Sequence, residues 1–337
     1  MNSPLSPELR NRLARRLERG LPRCARPYAA LAEALGTRED LVLAQIRAWR
    51  AEGLFRRFGL VVHHRALGID ANLMLVLDIP DARADATGLA LAREPAITLC
   101  YQRRRSPPRW PYNLFCMIHG TSRTTVQAQA DAILRRHGLA DLPHACLFSL
   151  RAFKQRGGRY ASPNPDRESG MPDPEVSLEC PPGAPKQETS LDAAGRRILN
   201  RLQRGLPLVR YPWEALGAEL GLDPDHIRAR LADWLANGTL TRFGPMFDIE
   251  PLGGAFTLAA LSVPEDRFDS VADLLREMPE VAHNYRREHF WNMWFVLACE
   301  SPGHLDRTLA AIEAATRLTV LNLPKDETYH VGLHLPL

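Results

Sequence analysis

Two stretches of this sequence gather residue types that can bind an anion, cover a flat apolar ring and move a proton. They are ITLCYQRRRSPPRWPYNLFCMIHG at 97–120 and VAHNYRREHFWNMWFVLACE at 281–300, each two short apolar runs joined by a tip rich in Arg, His and aromatic residues. With a period of two, His283, Tyr285 and Arg287 share one face of a strand, and Asn284 and Arg286 share the other. The returning run, Trp291 to Cys299, is apolar on both faces, as a strand buried on both sides would be. Tight hairpins are turned by Gly, Asn or Asp, and Arg286, Arg287, Glu288, His289, Phe290 and Trp291 answer no such need. A single hairpin of this kind would read as a solvated, charged edge. Its occurrence twice in one chain moves the reading toward a binding site.

The elements that must position these hairpins follow from an internal repeat. Gly20-Leu21-Pro22 recurs as Gly205-Leu206-Pro207, Pro27 as Pro212, Gly36 as Gly221, Trp49 as Trp234, Gly53 as Gly238, and Arg57-Phe58-Gly59 as Arg242-Phe243-Gly244, always 185 positions later. Each half opens with three helical segments: a first carrying Leu13, Leu17 and Leu21, a second near 28–35 and a third near 39–52, matched by 191–202, 213–220 and 224–236. Two short helices, a Gly-containing turn and a strand make a winged helix-turn-helix pattern. The rest of the first half reads as strands near 71–79, 97–104, 111–119 and 145–153 with helices near 82–93 and 122–137, and the second half repeats that order. With the strand near 56–64 taken as the wing, this is a ferredoxin-like β-α-β-β-α-β unit whose uncovered sheet face needs a partner.

The expected fold class is therefore α+β, a tandem repeat of a winged helix-turn-helix plus a ferredoxin-like domain. The helix-turn-helix segments fall at 1–55 and 191–240, and the ferredoxin-like ones at 56–155 and 241–337. The stretch 156–190, rich in Pro, Gly, Ser and charge, reads as a flexible linker. Such a chain can form internally the pseudo-twofold dimer that a single copy would form between chains. Further homodimerisation is left open.

Composition narrows the function classes. The chain has 337 residues, 45% hydrophobic and 24% charged, and a net charge of +4, too small by itself to argue for nucleic acid. The amino-terminal MNSPLSPELRNR has no apolar core of the signal-peptide kind and no apolar run approaches membrane-spanning length, so a cytoplasmic protein is expected. Six cysteines without a C-x-x-C pair suggest neither a zinc site nor an iron–sulfur cluster and read as mostly buried, reduced thiols.

The helix-turn-helix followed by β-α-β-β-α-β resembles the Lrp/AsnC family of transcription regulators. The hairpins carry a narrower likeness. Tyr101-Gln-Arg-Arg-Arg with Trp110-Pro-Tyr-Asn-Leu-Phe-Cys-Met-Ile-His119-Gly, and His283-Asn-Tyr-Arg-Arg-Glu-His289 with Trp291-Asn-Met-Trp-Phe, resemble the two subunit types of siroheme decarboxylase, here in fused form. That resemblance implies removal of two acetate carboxylates, at C12 and C18 of siroheme, to give 12,18-didecarboxysiroheme, with no cofactor beyond the iron tetrapyrrole substrate. It also implies siroheme as the partner, with neither DNA nor membrane. Arg103, Arg104, Arg105, Arg109, Arg286 and Arg287 would supply forks for the ring's carboxylates, and Tyr101, Trp110, Tyr112, Tyr285, Trp291 and Trp294 its walls.

Loss of carbon dioxide leaves negative charge on carbon that a proton must quench, so His283 is expected as general acid, with Arg287 holding the departing carboxylate. His289 is a second donor or an axial ligand to the substrate iron, and His119 is either another axial candidate or a satisfied core residue. Tyr101 matches Tyr285, which puts Leu99 where the second half has His283; the productive site is expected around the second hairpin. In the tail, His330 and His334 alternate along a strand, and His330 is the better match, at one remove from the chemistry.

The main rival reading is a DNA-binding regulator. Its recognition helices would carry Arg38, Arg47 and Arg50, diluted by Glu39, Asp40 and Glu52, and Arg228 and Arg230 against Asp223, Asp225 and Asp233; neither is a basic stripe. A haem carrier or sensor without catalysis would use the same pocket.

Overall fold

The repeat and its periodicities appear directly in the secondary structure of the computed structural model, which describes residues 4–18, 20–62, 71–155, 191–248 and 250–332. The segment read as a linker, Cys180 and His334 lie outside these residues. The first half contains α1 (Pro7–Glu18), α2 (Pro27–Leu35), α3 (Glu39–Ala51), β1 (Phe55–Val62), β2 (Ala71–Leu77), α4 (Asp81–Leu91), β3 (Ile97–Arg103), β4 (Leu114–Gly120), α5 (Arg123–Arg136) and β5 (His144–Gln155). The second contains α6 (Ala193–Leu202), α7 (Pro212–Leu220), α8 (Pro224–Ala236), β6 (Leu240–Phe247), β7 (Ala255–Leu261), α9 (Phe268–Glu277), β8 (Val281–Arg287), β9 (Met293–Cys299), α10 (Pro302–Thr316) and β10 (Leu321–Val331). Pro27 and Pro212 open their helices where a missing N–H costs nothing, and Gly36 and Gly221 close them in the left-handed region, at φ 66° and 63°.

The chain divides into two units. One holds both helix-turn-helix segments together with β1 and β6; the other holds both β-α-β-β-α-β segments. In the first unit the strand expected as a wing on its own helices instead pairs antiparallel with its counterpart from the other half, β1 with β6. The repeated Arg-Phe-Gly explains why this pairing is close, since Gly59 lies directly opposite Gly244. A Cβ at Gly59 would stand 2.5 Å from the Leu202 carbonyl oxygen, and one at Gly244 3.0 Å from the Gly20 Cα. Each half's strand thus lies against the end of the other half's first helix, which only glycine permits. Reciprocal hydrogen bonds join the halves here, from the Trp213 indole N–H to the Cys24 carbonyl (3.0 Å) and from the Tyr28 hydroxyl to the Pro207 carbonyl (3.1 Å).

The second unit is a closed barrel, ordered β10-β3-β4-β2-β5-β8-β9-β7. Strand alternation sorts its side chains into three layers. Leu73, Leu75, Leu77, Leu114, Cys116 and Ile118 face outward to a core that includes Val126, Ala130 and Ile133 of α5, and Leu261, Met293, Phe295 and Leu297 do the same with Val271, Leu275 and Ile312 of α9 and α10. Between the sheets a third core draws on both halves, with Met74, Val76, Trp110, Phe115 and Leu147 against Ala260, Trp291, Trp294, Leu321 and Leu323. Full burial of a large apolar side chain contributes on the order of 2 kcal/mol, so this shared layer holds the halves together strongly. The sheet face left uncovered in each half is covered by the other, as the internal pseudo-dimer requires.

Closure depends on two long strands that change partners. β5 pairs first with β2 and then, from Ser149 onward, with β8; β10 pairs first with β7 and then, from Lys325 onward, with β3. Among the described residues the barrel therefore has no open edge strand. Of the described cysteines, Cys100, Cys116 and Cys299 are buried, Cys146 is half-buried and only Cys24 is exposed, a mostly buried set as expected; all five are free thiols. No helix among the described residues is long and apolar enough to cross a membrane.

Replacing Gly59 with Ala is expected to cost about 1–3 kcal/mol, because the methyl meets backbone that cannot yield. Gly303→Ala, whose methyl would meet only an Arg307 side-chain nitrogen at 3.7 Å, should be near neutral. Chemical denaturation of the two variants beside the wild type checks the contrast, and equal midpoints would refute the close approach.

Candidate functional site

The period-two reading of the second hairpin describes the barrel's interior wall. Tyr285 lies opposite Trp294, and His283 opposite Val296, whereas Arg286 lies opposite Met293 and Asn284 opposite Phe295. His283, Tyr285 and Arg287 therefore line the face between the two sheets. Arg286, expected as a fork for the ligand, faces the helix layer instead; it forms a bidentate pair with Glu265 (2.9 and 2.7 Å) and lies 4.4 Å over the Phe268 ring. Asn284 is fully buried, with neither amide atom hydrogen-bonded.

Arg287 is the electrostatic centre of this wall. Its side chain is buried, and it donates to the Leu147 carbonyl (2.9 Å) and to Asn72 Oδ1 (3.3 Å), with the Met117 sulfur at 3.9 Å. Its backbone N–H is held by the Asn292 carbonyl (2.8 Å), and its guanidinium carbon lies 5.8 Å from the Tyr285 ring centre. No carboxylate among the described residues pairs with it. Burial lowers its pKa to about 10, so it remains a cation at neutral pH. Tyr285 stays a protonated phenol, pushed up to about 12 by burial. His283 stacks on Tyr285 with ring centres 6.2 Å apart, and its Nδ1 is sealed without a hydrogen-bond partner although part of the residue reaches solvent. Burial pushes its pKa down to about 4, so with protein groups alone around it the imidazole is neutral at pH 7.

Behind Arg287 runs a series of first-half groups. Asn72 Nδ2 is 2.9 Å from His119 Nε2, His119 Nδ1 is 2.9 Å from Thr98 Oγ1, and the Thr98 hydroxyl donates to the Met117 carbonyl at 3.1 Å. Both ring nitrogens of His119 are thus engaged. The axial-ligand role considered for it is not available in this arrangement, and the satisfied-residue alternative describes it better. Sequence reasoning missed Asn72, Thr98 and Met117. The only signal was a polar residue interrupting Ala71-Asn-Leu-Met-Leu-Val-Leu77. That Asn72 faces His119 is a matter of strand register, which spacing does not reveal.

The first hairpin repeats the geometry with different chemistry. Arg103 donates to the Leu323 carbonyl (2.9 Å) and lies 5.3 Å over Tyr101 and 5.7 Å over Phe115, and its backbone N–H is held by the Asn113 carbonyl (2.8 Å). Leu99 opposite Met117 replaces His283 opposite Val296, as expected. Phe256 opposite Ala298 replaces Asn72 opposite His119. His330 is half-buried on β10 beside β3, and so borders this mirror site rather than the His283 wall.

The hairpin tips depart most from expectation. Trp110 and Trp291, read as ligand walls, belong to the shared core: Trp110 meets Trp294 edge-on at 5.2 Å, and the Trp291 carbonyl accepts from the Trp294 indole at 2.6 Å. Tyr112 is half-buried with its ring 4.9 Å from Trp110. His289 Nδ1 accepts the Trp291 N–H (3.0 Å), so the neutral ring presents Nε2–H, a donor rather than a metal ligand. Arg104 is exposed and pairs with Asp326 at 3.2 Å. Arg105 fastens the β3–β4 connection to Asp78, Asp81 and the Ile79 carbonyl. Arg109 lines an open cleft of about 410 Å³ with Ser262, Phe290, Trp291 and Thr319, a space that His283, Tyr285 and Arg287 do not border. Among the described residues no cluster of His, Cys, Asp or Glu is placed to hold a metal ion.

Comparison with known proteins agrees with this duplicated architecture. The AsnC-like ligand binding domain matches residues 66–154 and 252–330, and the siroheme decarboxylase NirDL-like HTH domain matches 11–56 and 195–240, one copy in each half. The siroheme decarboxylase NirG subunit of Stutzerimonas stutzeri is 67% identical over 147 residues, 44% of this chain and 100% of that protein. The NirL subunit of the same organism is 55% identical over 163 residues, 48% of this chain and 96% of that protein. The crystal structure of the siroheme decarboxylase NirDL in co-complex with an iron-uroporphyrin III analogue has the same fold, with a TM-score of 0.63 at 15% identity over 96% of this chain and 92% of that one. The chain belongs to the siroheme decarboxylase family, with its duplicated Lrp/AsnC-like architecture fused in one polypeptide.

Proposed function

We propose that the wall formed by His283, Tyr285 and Arg287 receives siroheme and removes the C12 and C18 acetate carboxylates as carbon dioxide, leaving methyl groups in 12,18-didecarboxysiroheme. The observation that carries this reading is Arg287, a buried cation that no carboxylate among the described residues neutralises. Such a group favours an anionic ligand, and a ring fringed with carboxylates supplies one. The iron-uroporphyrin analogue held by the related NirDL structure is a ligand of that kind.

In each turnover the bond between the acetate methylene and its carboxyl carbon breaks, its electron pair stays on the methylene and delocalises into the ring, and a proton then joins that carbon. A cation gripping only the carboxylate would stabilise the ground state most and slow the step. Arg287 is tethered to Leu147 and Asn72, so it cannot follow the departing carbon dioxide, and its field stays on the carbon where charge develops. His283 is the proposed proton donor. Its protonation is disfavoured by burial alone, and an adjoining substrate carboxylate raises its pKa back toward the working range. Tyr285, a neutral phenol beside both, offers a hydrogen bond to the same carboxylate.

The regulator reading has less support. Just before α3 Arg38 pairs with Asp40 (2.6 Å), and on α8 Arg228 pairs with Asp225 (2.5 Å) and Arg230 with Asp192 (2.9 Å), which partly offsets cations that a recognition helix would direct at phosphates.

Under anaerobic incubation with siroheme, the wild type should lose one and then two carbon dioxide units by product mass. His283→Ala should bind siroheme with its visible spectrum little changed and turn over about 100-fold or more slowly. Arg287→Ala should lose both turnover and affinity, and Arg103→Ala, in the mirror site, should retain most of the turnover; comparable losses from the two arginine variants would mean that both sites are productive.

A pH series tests the buried imidazole. The native pKa of His283, about 4, lies below the ordinary value of 6.5, so the folded state binds fewer protons and His283 supports folding at neutral pH. That support is lost as the pH falls from about 6.5 through about 4. His283→Gln cannot titrate, and its thermal midpoint should fall less than the wild type's across this window; parallel curves would show that the imidazole is not desolvated.

A further inference from the structure

We infer that Asn72, His119 and Thr98 form a positioning relay by which the first half holds Arg287 oriented and fully charged in the second-half site. This inference rests on the decarboxylase reading of that site. Donor and acceptor chemistry allows the relay one arrangement. A guanidinium only donates, so the Asn72 carbonyl oxygen must face Arg287 and its NH₂ must face His119. His119 Nε2 must then accept, so the ring proton sits on Nδ1 and is donated to Thr98 Oγ1. The Thr98 hydrogen is in turn committed to the Met117 carbonyl. Each member fixes the next, and the last is anchored on β-sheet backbone.

The residue types matter as much as the order. An Asp at position 72 would accept from Arg287 equally well but would neutralise it. An amide orients the cation without cancelling the charge that the substrate must meet. Asn72 in turn needs a neutral acceptor behind it, which His119 provides in the Nδ1–H form. The mirror site lacks every link, because Phe256 and Ala298 occupy the places of Asn72 and His119, and Ala282 that of Thr98. The relay thus belongs to the site that also has His283. The first half contributes to the reaction through groups that need not touch the reacting atoms.

Four variants separate orientation from charge, with turnover of siroheme and a visible-absorption titration of its binding as readouts. Asn72→Leu should lower kcat about tenfold with siroheme affinity within about threefold of wild type. Asn72→Asp should instead weaken siroheme binding about tenfold or more, because its carboxylate competes for Arg287. His119→Leu should mimic Asn72→Leu, and His119→Gln, whose amide can both accept and donate, should recover most of the lost kcat. Thermal melts identify any variant that has merely lost its fold. A double-mutant comparison decides the coupling: Asn72→Leu should have little further effect in an Arg287→Lys background, and an equal fold-loss in both backgrounds would overturn the relay. If the wild type itself fails to convert siroheme, the decarboxylase reading falls; if it converts and Asn72→Leu leaves kcat unchanged, only this inference falls.

Discussion

A guanidinium sealed among aliphatic strands is tolerable only if its donors are satisfied, and the structure of this protein depends on how Arg287 meets that demand. Its partners, the Leu147 carbonyl and Asn72 Oδ1, both come from the first half of the chain, although Arg287 itself comes from the second. β5 carries Leu147 where it pairs with β2, the strand of Asn72, and from Ser149 onward it pairs with β8, which brings Arg287 to both. The strand exchange that closes the barrel therefore also joins Arg287 to its partners, and the wall draws on both halves.

The tandem arrangement makes that closure symmetric in backbone and asymmetric in chemistry. Each hairpin offers a Tyr-x-Arg unit whose guanidinium donates to a carbonyl of the other half's final strand, at Leu147 in one case and Leu323 in the other. Each Arg backbone is tied to a hairpin Asn, and Asn113 and Asn292 each grip the chain leaving a neighbouring strand, at Ile79 and Val263. These shared features are scaffold. A homodimer would have to place identical side chains in both sites, whereas a fused chain is free to diverge. Here the divergence is concentrated at a few positions, with His283, Asn72 and His119 on one side answered by Leu99, Phe256 and Ala298 on the other.

What the sequence reveals of this site follows from what periodicity can and cannot encode. Alternation places His283, Tyr285 and Arg287 together because a strand's period is two whatever its neighbours are, and the 185-residue repeat exposes the duplication without any tertiary information. The misread residues are those whose fate is decided by a partner distant in sequence. Arg286, Arg104 and Arg105 look alike as forks, yet Glu265, Asp326, Asp78 and Asp81 hold them elsewhere. Trp110 and Trp291 look like ligand walls, but a barrel closed from two sheets needs large side chains to fill its middle, and the tips supply them. The first strand of each half looks like a wing because helix-turn-helix segments often carry one; β1 and β6 pair instead because opposed glycines let the two halves approach. Asn72 was illegible because its contacts are non-local: it faces His119 through the β2–β4 register and accepts from Arg287, 215 positions away, across the strand between them.

Burial perturbs the two basic groups of the wall, leaving the His283 imidazole neutral and the Arg287 guanidinium charged on either side of Tyr285. A carboxylate-bearing ring reverses that balance, because its charge offsets Arg287 and raises the proton affinity of His283. Under the proposed function, substrate binding and proton uptake are therefore linked: each favours the other by the same free energy. The proton that quenches the carbanion is drawn to the site by the substrate that will need it, and it is held least when there is nothing to protonate. Asn72 fits the same logic. By orienting Arg287 through a neutral amide, it leaves the substrate as the first carboxylate the cation meets, so that one charge serves for recognition, for raising the donor's pKa and for steadying the carbon that loses its carboxyl group.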